Sequence, residues 1–335
     1  MKNLDSKKIN IWFRILILID LIIVICFYVV YFNSNFRNFW ITSTIKTATH
    51  QYLAHVFYSD DMIKETISNN TVSNILNNTD SSKIEFDNTD TGVYESIYEE
   101  QILKRDGNDL YKYFSIDVNN SKAHVVVIYD SSRIHYAISD KVDVGGQLLK
   151  DLASSKDAIV AINASGFKYL DKKIIPAGTI IKDGKIILQN GKFTPTMGLI
   201  GFNKDHVLVL TKDTPEKAIE DGMVDAMTFG PFLVVNGVYA DISGNGGWGY
   251  APRTVIAQRK DGIVLFIVFD GRSTNTMGAS MKDLIDIAKR YKLYNMANLD
   301  GGGSSTLVIN NEVINKTGGF NYTGDRYLPD AWILK

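Results

Sequence analysis

Four short stretches share one design, in which an apolar run ends on a polar residue and glycine follows at once. They are IVAINASGF, ending on Asn163; MTFGPFLV, with Gly230 and Pro231; LFIVFDGRS, ending on Asp270; and NMANLDGGGSS, ending on Asp300. One Asp-Gly or Asn-x-x-Gly is ordinary turn chemistry. Four of them set two carboxylates and an amide at strand ends beside loops, where sheets of this kind seat ligands. After Asp300, Gly301, Gly302 and Gly303 remove every Cβ, so backbone N–H groups can approach an anion, and Ser304 and Ser305 add hydroxyl donors. The stretch ISGNGGWGYAPRT supplies Trp248 for the apolar face of a sugar and Arg253 for a phosphate or carboxylate, with Arg272 after Asp270 as a second cation.

Several chemistries are excluded. The glycines lack the lysine of a P-loop, and no G-x-S-x-G elbow is present here. No histidine lies near these stretches in sequence, which argues against a serine-hydrolase triad. A net charge of −1 offers no bulk attraction to nucleic acid, so no nucleic-acid partner is expected. The single cysteine, Cys26, lies in an apolar run, faces lipid or packing, and carries no redox function.

The elements that must position these residues can be read from pattern. HVVVIYD and DAIVAIN are β-branched runs; TIIKDGKIIL and FLVVNGVYA carry Asp-Gly and Asn-Gly between apolar strands, a strong hairpin signal. TVIAQRKDGIVLFIVFDGR reads as a further hairpin. Helices are expected around Gly146 to Leu152 and in SMKDLIDIAKRY, capped by Ser280, with a βαβ-like order around the second. The fold class is α+β: mixed, mainly antiparallel twisted sheets with a few flanking helices, preceded by one transmembrane helix.

That helix is Ile9 to Phe32, almost wholly apolar and long enough to cross a bilayer, with Asp20 its one charged interruption. Lys2, Lys7, Lys8 and Arg14 precede most of the run and only Arg37 follows closely, so the N-terminus is expected in the cytoplasm and the rest outside the cell membrane. A cleaved signal peptide is the rival reading. Residues 1–8 form a cytoplasmic tail, 9–32 a signal anchor, 33–105 a polar, partly helical stalk, and 106–335 the catalytic domain.

The ordered motifs AINASGF, TFGPFLVVNG, APRTVIA, VFDGR and NLDGGGSSTL resemble the phosphodiester glycosidase family, many of whose bacterial members are associated with exopolysaccharides. One departure is INASGF, where the family usually has Asn-Gly-Gly before an aromatic pair; Ala164 and Ser165 stand there instead, with the single Phe167. The resemblance implies cleavage of a sugar-1-phosphodiester in an envelope or exopolysaccharide glycan. One of Asp300 and Asp270 would act as base or nucleophile, Arg253 with the Gly301 to Gly303 amides would hold phosphate, and Asn163 would orient a sugar hydroxyl. Gly230, Trp248, Arg272, Ser304 and Ser305 are expected to contact substrate. No cofactor is fixed by these residues, and a divalent cation such as Ca2+ is the candidate. Two alternatives stand beside this reading: a phosphodiesterase dependent on a divalent cation such as Ca2+ held by the two carboxylates, and a non-catalytic glycan-binding protein of envelope assembly.

Overall fold

The Asp-Gly and Asn-Gly pairs turn the chain as their tolerance of positive φ allows. The computed structural model describes residues 2–45, 50–107, 109–119, 121–190, 197–271, 273, 276–318 and 325–335. In it, Asp183 (φ 52°) and Gly184 (φ 69°) fold β7 (Gly178–Lys182) onto β8 (Lys185–Asn190). Asn236 (φ 53°) and Gly237 (φ 77°) fold β12 (Phe232–Val235) onto β13 (Val238–Tyr239). Two successive positive φ values match the right-handed twist of a hairpin.

Among the described residues the strands form three larger sheets and one two-stranded hairpin, all antiparallel between neighbours. The largest sheet runs β1 (Tyr111–Val118), β2 (Ser121–Ile128), β15 (Val264–Phe269), β14 (Thr254–Arg259), β16 (Leu293–Asn298), β12 and β13. A second runs β18 (Glu312–Val313), β17 (Leu307–Ile309), β4 (Val160–Asn163), β19 (Asp330–Leu334) and β3 (Ile134–Ile138). The third holds β10 (Leu208–Thr211), β9 (Gly198–Asn203), β11 (Met223–Phe229), β7 and β8. The hairpin is β5 (Phe167–Leu170) with β6 (Lys173–Pro176). This is the mixed, mainly antiparallel α+β class expected.

Every residue of β14 and β15 is buried; β15 is an unbroken apolar run covered on both faces, and in β14 the buried Gln258 and Arg259 are hydrogen-bonded. Both β15 and β16 are antiparallel to β14 and therefore parallel to each other. The crossover between them is α8 (Met281–Arg290). Ser280 and Asp283 close a capping box at its start, and Leu284, Ile287 and Ala288 face the core. Trp332 of β19 packs on Tyr136 of β3 (5.0 Å between centroids) and on Phe202 of β9 (5.4 Å), joining the second and third sheets.

The remaining helices are short. The helix expected from Gly146 starts later, as α6 (Leu149–Ser155), because Gly145 (φ 107°) and Gly146 (φ 86°) hold a backbone no helix accommodates. Pro215 opens α7 (Pro215–Glu220), which Thr214 caps.

The chain divides into two compact units, Met1–Thr71 with Ser243–Gly249, and Val72–Ile242 with Tyr250–Lys335. The first holds α1 (Lys2–Phe32), α2 (Ser34–Ile45), α3 (Tyr52–Phe57) and α4 (Asp60–Asn69). Within α1, Ile11–Phe32 is long and apolar enough to cross a membrane. Ile41, Ala54, Tyr58 and Ile63 bury a small core, and the Tyr58 hydroxyl donates to the Val30 carbonyl at 2.8 Å.

Residues 72–105, expected as the distal stalk, belong to the second unit. With few apolar residues of its own, this segment pairs its polar groups with the domain. The Ser73 N–H donates to Asp241 O (2.8 Å), Thr79 N–H to Leu210 O (3.0 Å) and Glu85 N–H to Lys260 O (2.8 Å). Within α5 (Ile97–Leu103), Ile102 is buried and its carbonyl accepts the Tyr129 hydroxyl at 2.8 Å.

The capping box and the buried face of α8 give separable stability predictions. Ser280→Ala lowers unfolding free energy by about 1 kcal/mol. Leu284→Ala, which empties a buried site, lowers it by about 2–5 kcal/mol. Urea unfolding of the detergent-solubilised chain, followed by tryptophan fluorescence, measures both.

Candidate active site

The amide of Asn163, the last residue of β4, both donates and accepts. Its Nδ2 donates to the Asp300 carbonyl (2.7 Å), while Oδ1 accepts the Thr254 hydroxyl (2.6 Å) and the Thr306 N–H (3.1 Å). The Asp300 N–H returns a bond to Ala164 O at 3.1 Å. Two of the predicted strand ends, from two different sheets, are thereby locked together. The third joins them through Asn298, the last residue of β16, whose Nδ2 donates to Gly230 O (3.1 Å). Gly166, in the loop after Asn163, lies against Phe229: a Cβ there would sit 2.9 Å from its ring.

Past Asp300 the chain makes one turn of 3-10 helix over Gly302–Ser304. That turn consumes most of the expected anion-binding amides. Gly302 N–H donates to Pro252 O (2.9 Å), Ser304 N–H to Gly301 O (3.2 Å) and Ser305 N–H to Gly302 O (3.2 Å). The Gly301 N–H serves the Asp300 carboxylate. Gly303 keeps a free N–H among the described residues, and Cβ positions at Gly302 and Gly303 open into empty space. Ser305 is fully buried, and its hydroxyl finds no hydrogen-bond partner.

Burial raises the Asp300 carboxyl to about 6, against the Ser304 hydroxyl, the Arg326 charge and the Gly301 N–H, which favour the anion; Asp330 raises it further. Arg326 was not foreseen. Its guanidinium donates to Ser304 Oγ (3.3 Å) and stacks 4.5 Å from the Phe167 ring centroid. Asp330 was also missed; it is buried, accepts the Ser165 N–H (2.8 Å) and the Ser165 hydroxyl, and burial holds its carboxyl above the usual range. Ser165 thus anchors the loop after Asn163. Both missed residues flank the start of β19, and Ala331 pairs with Asn163. In an antiparallel sheet a strand's end adjoins its neighbour's beginning, a signal that inspection of strand C-termini alone overlooks.

Arg253 is buried. Its Nε donates to Ala279 O (3.1 Å), and its Nη1 would lie 3.8 Å from a Cβ on Gly301. It backs the glycine turn from beneath. Trp248 belongs to the unit that holds the N-terminal helices, on the segment Ser243–Gly249. Arg272 lies outside the described residues.

Asp270 sits at the end of β15, with β14 between it and the strand that leads to Asp300. Strand spacing puts the two backbones about 10 Å apart. The expectation that no histidine approaches these stretches is corrected here. His124 Nε2 lies 2.8 Å from Asp270 Oδ1, because β2 pairs with β15 and brings a residue distant in sequence alongside. The Lys316 N–H donates to the same oxygen at 2.9 Å. Burial pushes the Asp270 carboxyl upward, but the hydrogen bonds from His124 and the Lys316 N–H, with the Lys316 charge, outweigh it and hold it below the usual carboxylate range. Among the described residues no three His, Cys, Asp or Glu side chains converge as a metal would require.

The phosphodiester glycosidase family model matches residues 156–335, more than half of the chain, and contains Asn163, Arg253, Asp270, Asp300 and Arg326. The SPbeta prophage-derived uncharacterized protein YomE of Bacillus subtilis (strain 168) is 28% identical over 176 residues, which are 49% of this chain and 26% of that protein. The chain therefore spans about a quarter of that relative's length. The catalytic domain of zebrafish N-acetylglucosamine-1-phosphodiester alpha-N-acetylglucosaminidase, in a form auto-inhibited by its pro-peptide, shares the fold with a TM-score of 0.56 at 18% identity, covering 69% of this chain and 85% of its own. The family model covers more than half of the chain, and the chain belongs to the phosphodiester glycosidase family.

Proposed function

We propose that this protein is a membrane-anchored hydrolase that cleaves the bond between an anomeric carbon and phosphate in a glycosyl phosphodiester of the cell envelope or its exopolysaccharide. The observation that carries the reading is the setting of Asp300: a carboxyl that keeps its proton to about pH 6, beside an arginine and an open glycine turn, at strand ends inside the family match. The apolar Ile11–Phe32 helix supports anchoring, with the N-terminus in the cytoplasm and the catalytic unit outside.

The two acids are pushed in opposite directions, which separates their roles. Asp300 carries a proton and donates it to the oxygen bridging C1 and phosphorus. Asp270 is ionised and takes a proton from the attacking water. The C1–O bond breaks as the water–C1 bond forms, a phosphate monoester leaves, and positive charge builds on the sugar in between. Arg326 and the free Gly303 N–H receive the phosphate, while Arg253 holds the turn beneath it. Phe167, kept in place by Arg326, offers a ring to the sugar face.

Three outcomes are expected with the full chain in detergent and a sugar-1-phosphodiester as substrate. Asp300→Asn retains the wild-type circular dichroism spectrum and loses roughly 10²–10⁴-fold in kcat; a folded variant of full activity overturns the assignment. Activity declines as pH rises through about 6, where Asp300 loses the proton it must donate. The acid limb falls at lower pH than an unperturbed aspartate would set, because the Asp270 carboxyl is held below its usual range. Arg326→Lys, which loses the planar fork, raises KM more than it lowers kcat in steady-state assays.

A further inference from the structure

Asp270 ends a chain of three hydrogen-bonded side chains that crosses three strands. In the register of the largest sheet His124 pairs with Ser115 on one side and Val268 on the other, while Tyr113 pairs with Val126. Side chains two residues apart on a strand share a face. Tyr113, two before Ser115, His124, and Asp270, two after Val268, therefore fall in one diagonal row. The contacts follow: Tyr113 Oη lies 2.8 Å from His124 Nδ1, and His124 Nε2 lies 2.8 Å from Asp270 Oδ1.

One proton arrangement satisfies the row when the imidazole is neutral. An ionised carboxylate only accepts, so Nε2 carries the hydrogen and donates to Asp270; Nδ1 then accepts the Tyr113 O–H. Exposure falls along the chain, from 38% for Tyr113 to 6% for His124 and 3% for Asp270, so the tyrosine is the end that meets solvent. Asp270 Oδ1 takes two donors, His124 and the Lys316 N–H, whereas Oδ2 accepts none among the described residues. One oxygen is clamped by two donors, and the other, which is not among the fully buried unpartnered atoms, is left available.

We infer that Tyr113 and His124 are positioning residues that hold Asp270 with Oδ1 fixed and Oδ2 presented to the attacking water. The inference rests on the reading of Asp270 as the base. Tyr113 and His124 precede residue 156, where the family match begins, and so lie outside the region that the family model describes. Tyr113 fixes the imidazole tautomer, and the imidazole fixes the carboxylate, as a histidine is oriented by its second hydrogen bond in other triads.

The test uses the full chain in detergent and two readouts. In 15N-histidine spectra without substrate, His124 is expected as the neutral Nε2–H tautomer, with the Nδ1–H form gaining population in Tyr113→Phe. An Nδ1–H tautomer in the wild type overturns the relay whether or not the protein is a glycosidase. In kinetics on a glycosyl phosphodiester, His124→Phe should lower kcat about 100-fold with KM within about threefold. His124→Gln, which keeps an N–H near the position of Nε2, should recover to within about tenfold of wild type. If kcat in His124→Phe is unchanged, or the Gln variant is as poor as the Phe variant while both melt like wild type, the positioning role is wrong. Should His124→Phe fail to fold, Tyr113→Phe and His124→Gln decide between the same outcomes. Absence of turnover by the wild type on every glycosyl phosphodiester sinks the proposed activity and leaves the tautomer readout to judge the relay.

Discussion

The side-chain amide of Asn163 joins three segments that the chain reaches far apart in sequence: the main chain at Asp300, the start of β14 at Thr254, and the turn into β17 at Thr306. An amide can donate and accept at once, and here both capacities are used, the carbonyl oxygen twice and the NH2 once. An aspartate at this position could not donate to the Asp300 carbonyl, and a leucine would leave the Thr254 hydroxyl and the Thr306 N–H unpaired. The largest and second sheets meet across this amide. Because Asp300 hangs from the same bond, the geometry of the acid is inherited from the joint between the sheets.

Around that joint two carboxylates are given contrary surroundings. Asp300 is desolvated at the mouth of a glycine turn that has already used most of its own amides, and burial outweighs the Ser304, Gly301 and Arg326 groups that favour its charge. Asp270 is buried and receives the His124 and Lys316 donors on one oxygen. Burial raises both acids; it dominates at Asp300, whereas the donors outweigh it at Asp270. The three glycines therefore do less as a cradle of N–H groups than as open space, with Gly302 and Gly303 unobstructed beside the Arg326 guanidinium.

Much of this was legible in the sequence where a local rule governs it. Hairpins at Asp183-Gly184 and Asn236-Gly237, the capped helix after Ser280, and Asn163 and Asp300 at strand ends all follow from turn chemistry, capping and periodicity. What escaped depends on pairing between distant strands. His124 sits within HVVVIYD and reads as one member of a buried strand; only the alignment of β2 with β15 sets it beside Asp270. Arg326 and Asp330 adjoin the site because β19 starts where β4 ends. The polar segment after Thr71 looked like a free stalk because it buries little of its own, yet it satisfies its backbone on the sheets of the second unit.

The central claim is that this site breaks the bond at the anomeric carbon and leaves phosphorus untouched. Turnover of a glycosyl phosphodiester by the full chain in 18O-labelled water, with mass spectrometry of both products, tests it most directly. The account predicts the label in the released sugar and unlabelled phosphate monoester; 18O in the phosphate would contradict it.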